Sequence, residues 1–452
     1  MSSKYPKSFK DVKCDILGVG VSNIALLKLL HREGAIVTAR SKNTPSPEIL
    51  QTLNALCKRV ILGERYLDDL NGQYIFRSPS IRPDLPEIGN AVSQGATLGS
   101  EWELFFHRAP CQILGITGSD GKTTTVTIAE KLLNRSFLGT KRKAYAAGNI
   151  GIPLISLLDT LKHDDIVVAE LSSFQLMTLD KAPESAAITN ITENHLDYHY
   201  DMDEYVHAKL NIFGNNCKRA IIPEHSFFQN IKSSLSQHNK KVITSGFDKN
   251  NDIYCCENQI YYHNTPILNV SDIVLSGKHN IANYMTAIAL CDNFINSTVI
   301  RCVASTFSGV EHRAQLISEI NGVRYYDSSI DSTPSRTAVT LSCFDKPLTV
   351  ICGGYDKNLD YSPLADALEK HATAVIVTGS SAPKLLAAIN ALHKRSFSVY
   401  HESDFDSAVR LSTSLTVTGG TVLLSPACAS YDRFSNYKER GTRFAQLVTS
   451  IT

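Results

Sequence analysis

Gly115 to Thr125 reads G-I-T-G-S-D-G-K-T-T-T. The run Gln112–Ile116 before the loop has the apolar residues of a buried strand, and the pattern from about Thr123 is helical. A glycine loop between a strand and a helix turns backbone N–H groups toward an anion, and the helix dipole adds to the attraction. Gly118 and Gly121 permit a close approach that a Cβ blocks. Lys122 can reach the β and γ phosphates of a nucleotide, and Thr123 offers a hydroxyl to Mg²⁺. An ordinary P-loop carries glycine six residues before its lysine, and that position here is Ile116. The loop is a shorter variant, so kinases, GTPases and other nucleotide users all remain open at this point.

Outward from the loop, strand-like runs alternate with helical patterns almost throughout, the mark of an α/β protein with largely parallel sheets. Strand Cys14–Gly18, a glycine turn, helix Ser22–Glu33 and strands Ala35–Arg40 and Tyr74–Arg77 form a small doubly wound unit. Strands Ile166–Leu171 and Ala186–Ile191 follow the loop, Asp252–Leu268 alternates like a β-meander, and Gly277–Asn293 is helical. Strands Val323–Asp327, Leu348–Gly353, Ala374–Thr378 and Thr421–Ser425 build the last third. The expected organisation is three domains: a Rossmann-like domain at 1–105, a central P-loop-type ATPase domain with a mainly parallel sheet at 106–307, and a C-terminal Rossmann-like α/β domain at 308–452.

Composition narrows the class. Net charge is +1 over 452 residues, so no global field favours nucleic acid or a membrane surface. The 11 cysteines are scattered with no C-x-x-C pair, which fits reduced thiols in a cytosol. No stretch approaches 18 apolar residues and the first residues are polar, so neither a membrane span nor a secretory leader is expected.

Carboxyl ends of strands are where ligands sit in open α/β sheets. Glu170 ends an apolar strand, and a carboxylate there suits Mg²⁺, a hard cation that prefers oxygen. His195, Asp197 and His199 cluster just past the next strand, with His195 the candidate ligand of a second metal. Asn149, between Gly148 and Gly151, can hydrogen-bond a phosphate or a substrate amide. By residue type alone Lys209 reads as an ordinary helix-surface lysine.

Taken in order, G-I-T-G-S-D-G-K-T-T-T, G-N-I-G, E-L-S-S-F-Q-L, N-I-T-E-N-H-L-D-Y-H, A-K at Lys209, G-K-H-N-I-A-N, E-H-R, G-G-Y-D-K and L-S-P-A-C-A-S-Y-D-R-F resemble the Mur ligases of peptidoglycan synthesis, from Gly18 to Gly441. E-L-S-S-F-Q-L and S-P-A-C-A-S-x-D-x-F point within that family to the branch that adds D-glutamate. The resemblance implies a cytoplasmic, monomeric enzyme that joins D-glutamate to UDP-N-acetylmuramoyl-L-alanine with ATP and two Mg²⁺. Other Mur ligases and folylpolyglutamate synthases are the neighbouring alternatives, and a P-loop protein without ligase activity is the remote one.

Site roles follow from the resemblance. ATP is expected on Gly118, Ser119, Asp120, Gly121, Lys122, Thr123 and Thr124, with Asn283, Arg313 and Asp327 toward the nucleoside and His312 nearby. Glu170 holds Mg²⁺ between the phosphates, and His195 holds the second ion with Lys209, carrying a carbamate made from CO₂. The UDP substrate is expected on Gly20, Val21, Ser22, Arg40, Ser78, Asn149 and His195, and D-glutamate on Lys357, Ser430 and Tyr431. Three positions depart from the family pattern. D-S-K-A-T-N is D-S-S-I-D-S at Asp327 to Ser332, which replaces a lysine and a threonine by Ser329 and Asp331. S-P-G is S-P-S at Ser80, and Asp120 stands where asparagine is common. An acid at Asp331 calls for a compensating cation.

Overall fold

The structure, a computed structural model, describes residues 4–451 apart from Asp197, Ser276, Lys357 and Asn358. The chain forms two compact units, Met1–Phe307 and Ser308–Thr452. The first holds two sheets and the second one.

The first sheet has five parallel strands, β1 (Lys13–Leu17), β2 (Ile36–Ser41), β3 (Arg59–Leu62), β4 (Tyr74–Arg77) and β5 (Thr97–Gly99), in the order β3-β2-β1-β4-β5. Strand order reverses between β1 and β4, so a crevice opens past their carboxyl ends. There Asn23 donates to the Leu17 and Gly18 carbonyls at 2.9 and 2.8 Å and holds the turn in place.

The second sheet contains β6 (Gln112–Thr117), β7 (Ala144–Gly148), β8 (Ile166–Glu170), β9 (Ser185–Ile188), β10 (Arg219–Pro223), β11 (Lys241–Gly246), β12 (Ile253–Cys256), β13 (Gln259–Tyr262) and β14 (Thr265–Asn269). Its order is β14-β13-β12-β11-β10-β9-β6-β8-β7, with β6 flanked by β8 and β9. The strands from β7 to β12 run parallel, and β12, β13 and β14 form the antiparallel meander expected at 252–268. The short strands β10 and β11 are not singled out by sequence reading, because each has an apolar run of only two or three residues among polar neighbours.

One hydrophobic core runs from Tyr5 and Phe9 through Trp102, Phe105 and Phe106 to Leu176, Ile212 and Phe228, so residue 105 lies inside a compact unit. Trp102 is its pivot. Fully buried, it donates from Nε1 to the Gln175 carbonyl at 2.8 Å, and the Arg77 guanidinium lies 5.3 Å from its ring. Truncating a buried aromatic of this size costs about 3–5 kcal/mol.

The third sheet, in the second unit, has β15 (Gln315–Ile320), β16 (Val323–Asp327), β17 (Leu348–Gly353), β18 (Ala374–Thr378), β19 (Ser398–His401) and β20 (Thr421–Leu424), in the order β15-β16-β20-β17-β18-β19. All pairs are parallel except β15 with β16. The carboxyl ends of β16, β20 and β17 therefore meet at the centre of one edge. No disulfide forms among the described residues, but only five of the cysteines are buried and Cys343 is exposed.

Candidate active site

The phosphate loop leaves β6 at the centre of the second sheet. Gly118 and Gly121 have φ of +150° and +75°, where side chains are strained. A Cβ on Gly118 would strike the Thr189 hydroxyl, and one on Gly121 the Asn283 amide. The helix Lys122–Ser136 begins with Gly121 as its cap and no side-chain cap bond, so its first N–H groups face the loop. Lys122 Nζ folds back onto the Gly118 and Ser119 carbonyls at 2.9 and 2.8 Å. The Asp120 N–H donates to Asn190 Oδ1 at 2.8 Å, and Thr189 Oγ1 donates to the Asp120 carbonyl at 2.6 Å. Strand β9 thus continues into a strap that shapes the loop from below.

Two of the expected nucleotide contacts have other work. Ser119 Oγ is buried among the Thr192 backbone (2.9 Å) and the Tyr205 hydroxyl (2.8 Å). Asn283, on the helix Lys278–Cys291, is buried against Gly121, accepts from Thr125 Oγ1 at 3.2 Å and donates to Asn280 Oδ1 at 3.2 Å. Both shape the loop, and the structure does not present their side chains to an adenosine or a phosphate.

Beside the loop, Glu170 stands at the end of β8, paired in register with Ile116. Its Oε2 accepts from Thr123 Oγ1 at 2.8 Å and its Oε1 from Asn149 Nδ2 at 3.0 Å. This oxygen-rich pair of Thr123 and Glu170 fits a hard divalent cation. Lys209 ends the helix Met202–Leu210 and is 1% exposed, against the expectation of a surface lysine. Its Nζ donates to the Gly118 carbonyl at 2.8 Å and lies 4.5 Å from the Tyr205 ring centre. Burial first, and the Lys122 charge second, push its pKa down to about 6, with Asp120 and Glu170 opposing. At neutral pH it is an uncharged amine.

His195 is exposed on the loop after β9, with φ +58°. Its ring packs edge-on against Phe174 at 5.0 Å and lies 6.4 Å from Tyr205. Asp197, grouped with it by sequence, lies outside the described residues. Among the described residues no three His, Cys, Asp or Glu side chains converge as a ready-made metal cage.

The crevice of the first sheet is a cleft of about 730 Å³, lined by Gly20, Val21, Ser22 and Ser78 as expected, and by Lys42, Asn43 and Phe174, which were not. Arg40 is absent from it. This arginine is buried, donating from Nε to Asp15 Oδ1 at 2.6 Å and from its other nitrogens to the Tyr66, Asp68 and Asp69 carbonyls. Arg40 shares a sheet face with Asp15, opposite the core residues Val37 and Ala39, and its partners there turn it away from the cleft, which falls to the residues beyond it. Ser80 does not have positive φ, and its hydroxyl lies 3.0 Å from that of Ser78. The lost glycine leaves no strain there.

In the second unit Asp327 is fully buried, not open to a ribose. It accepts from His312 Nδ1 at 2.7 Å and from the Ser329 N–H at 2.8 Å. Arg313 follows His312 in a turn in which His312 and Ala314 both have positive φ. Ser329 and Asp331 are buried too. Ser329 Oγ donates to the Tyr437 carbonyl at 2.8 Å and accepts from Arg440 Nε at 2.9 Å, and Asp331 Oδ2 accepts from Ser425 Oγ at 2.8 Å. Buried Arg440 is the cation of this neighbourhood, and the charges of Asp432, Asp327 and Asp331 all act on it. Its guanidinium also donates to the Ala429, Ser329 and Cys428 carbonyls at 3.0, 2.9 and 3.0 Å, and burial lowers its pKa to about 10. Ser430 is buried, Tyr431 is 65% exposed, and Lys357 lies outside the described residues.

The profile of the Mur ligase middle domain matches residues 116–291, and that of the Mur ligase glutamate ligase domain residues 312–428. The chain is 37% identical over 470 residues to UDP-N-acetylmuramoylalanine–D-glutamate ligase of Clostridium botulinum (strain 657 / Type Ba4), covering 99% of each. It is 36% identical over 457 residues to the enzyme of the same name from Clostridium perfringens (strain 13 / Type A), again covering 99% of each. The chain belongs to the Mur ligase family. It is an ATP-dependent amino-acid ligase of peptidoglycan-precursor synthesis.

Solved Mur ligases share the fold at low identity. The UDP-N-acetylmuramate–alanine ligase of Thermotoga maritima superposes with a TM-score of 0.53 at 18% identity, over 98% of this chain and 100% of that one. A UDP-N-acetylmuramoyl-L-alanyl-D-glutamate–2,6-diaminopimelate ligase gives 0.56 at 15% identity, over 99% and 94%. Sequence reading of this Mur ligase picked out Asn190 as a polar strand-end residue and missed Thr189, Tyr205 and Arg440.

Proposed function

We propose that this ligase joins the amine of D-glutamate to the carboxylate of UDP-N-acetylmuramoyl-L-alanine, releasing ADP and phosphate. The observation that carries the reading is the buried amine of Lys209, set against the phosphate loop beside Thr123 and Glu170, with its pKa pushed down by that burial. A kinase has no use for it. An uncharged amine can attack CO₂ and, on losing a proton, become a carbamate, which turns a lysine into an oxygen ligand. The names of the relatives, at 37% identity over the whole length, support D-glutamate as the amino acid.

Residues 1–105 take the uridine nucleotide in the first cleft, 106–307 take ATP, and 308–452 take the amino acid through Lys357, Ser430 and Tyr431. The loop N–H groups and Lys122 hold the phosphates and neutralise charge as the γ-phosphoryl moves to the acceptor carboxylate. The resulting acyl phosphate has a good leaving group. The D-glutamate amine attacks its carbonyl carbon, the C–O bond breaks, phosphate departs and the amine loses a proton. Thr123 and Glu170 would hold one Mg²⁺ and His195 with a carbamylated Lys209 a second, and the ions would supply charge neutralisation. Asn149 fixes the Glu170 carboxylate. The protein works as a monomer in the cytoplasm, where ATP is supplied.

The test is phosphate release from ATP by the purified enzyme with UDP-N-acetylmuramoyl-L-alanine and each of D-glutamate, L-glutamate and L-lysine. Release that requires both the nucleotide and D-glutamate is expected. Release independent of either substrate refutes the ligase reading, and preference for L-lysine would assign Ser329 and Asp331 a different specificity.

A further inference from the structure

Half-buried Glu204 and the buried His199 and Ser173 form a chain that no step above uses. His199 is 1% exposed. Its Nε2 lies 2.9 Å from Ser173 Oγ, and its Nδ1 lies 3.4 Å from Glu204 Oε2, an ion-pair distance with poor hydrogen-bond alignment. Burial lowers the His199 pKa, with Glu204 opposing. With a proton on Nδ1, the side that faces the carboxylate, Nε2 accepts from the Ser173 hydroxyl. The arrangement has the order of a hydrolase triad, but Ser173 is itself buried and so cannot meet a substrate.

The middle and one end of the chain lie beside residues assigned to the metals. The His199 backbone N–H donates to the His195 carbonyl at 3.0 Å and closes the turn that gives His195 its positive φ, a bond that any side chain at 199 leaves in place. Ser173 begins the helix Ser173–Leu176, three residues after Glu170, and that helix is clamped by the reciprocal bonds of Ser172 and Gln175. Phe174 packs against the rings of His195, Tyr198 and His199 at 5.0, 4.0 and 5.5 Å. The far end is anchored in the first sheet's loop. Arg82 pairs with Glu204 at 2.7 Å and donates to the Tyr198 carbonyl at 2.6 Å, and Tyr198 OH donates to the Pro79 carbonyl at 3.0 Å.

We infer that His199 is a positioning residue, which locks the turn presenting His195 to the strand end presenting Glu170 through Ser173 on one side and Glu204 on the other. The inference rests on the reading of His195 and Glu170 as metal-holding residues. Groups of this kind around metal ligands typically alter affinity or activity by about 10- to 100-fold.

The experiment measures Mn²⁺ binding to the full chain with ADP by electron paramagnetic resonance, alongside thermal unfolding. His199→Phe keeps the ring volume and loses both contacts. It should weaken Mn²⁺ binding about 10- to 100-fold while its melting temperature stays close to wild type. His199→Gln, which can still accept from Ser173, should recover part of the loss. Unchanged Mn²⁺ affinity in folded His199→Phe overturns the inference, as does a Gln variant no better than Phe. If the Phe variant does not fold, Ser173→Ala removes only the hydroxyl and should still weaken binding, and wild-type affinity there overturns the inference equally. Wild-type chain that binds Mn²⁺ but lacks D-glutamate-dependent phosphate release sinks the ligase reading and leaves this one standing.

Discussion

Replacing Lys209 by methionine should make the protein inactive and, at neutral pH, more stable. The amine has a pKa of about 6 in the fold and an ordinary value of 10.5, chiefly because burial disfavours its charged form. Between those values the unfolded chain binds a proton that the folded chain does not. Wild-type stability therefore rises with pH across that window, by up to about 1.4 kcal/mol per pH unit. At pH 7 the burden of holding the amine neutral is about 5 kcal/mol. Methionine fills the same volume without it and forfeits the bond to the Gly118 carbonyl, which contributes about 1 kcal/mol. The variant should gain on the order of 3–4 kcal/mol at pH 7, and the gain should shrink toward zero near pH 10. Urea unfolding from pH 6.5 to 9.5 in CO₂-free buffer measures this. Trp102, the single tryptophan, is buried in the same compact unit and reports the transition. Parallel pH dependence of the two proteins would show that Lys209 is not held neutral, and the carbamate proposal would lose its physical basis.

Three further outcomes are expected. Lys122→Ala should abolish ATP-dependent turnover in a steady-state phosphate assay while circular dichroism stays unchanged, since the half-buried side chain bonds only loop carbonyls among the contacts described. Gly121→Ala should lose about 1–2 kcal/mol from its left-handed φ alone, and more from the Asn283 contact, and should weaken ADP binding in calorimetry. Arg40→Met leaves Asp15 buried without its ion pair and should cost about 3–5 kcal/mol in denaturant unfolding, whereas a large rise in KM for the uridine nucleotide at unchanged stability would restore Arg40 to the cleft.

The alternation of elements, the phosphate loop and the strand-end residue Glu170 were legible in the sequence, because each depends on neighbours in the chain. Glycines must stand where a backbone turns against a helix start, and a buried parallel strand must read as an apolar run with polar residues where it stops. These local rules also located the first cleft, at the turn after Cys14–Leu17. What they could not decide was which polar side chains face a ligand and which are consumed inside the fold. Arg40, Ser119, Asn283 and Asp327 all sit at strand or helix ends where ligands are expected, yet their donors and acceptors meet loops and helices far away in sequence. Lys209 errs in the opposite direction, since its helix has an ordinary surface pattern and only packing against Gly118 and Tyr205 removes its water. Burial and charge are properties of the assembled neighbourhood. The sequence by itself determined the sheets and the anion-binding loop, and the tertiary structure alone decided that Lys209 loses its water and that Arg440 is spent on the Ser329, Cys428 and Ala429 carbonyls.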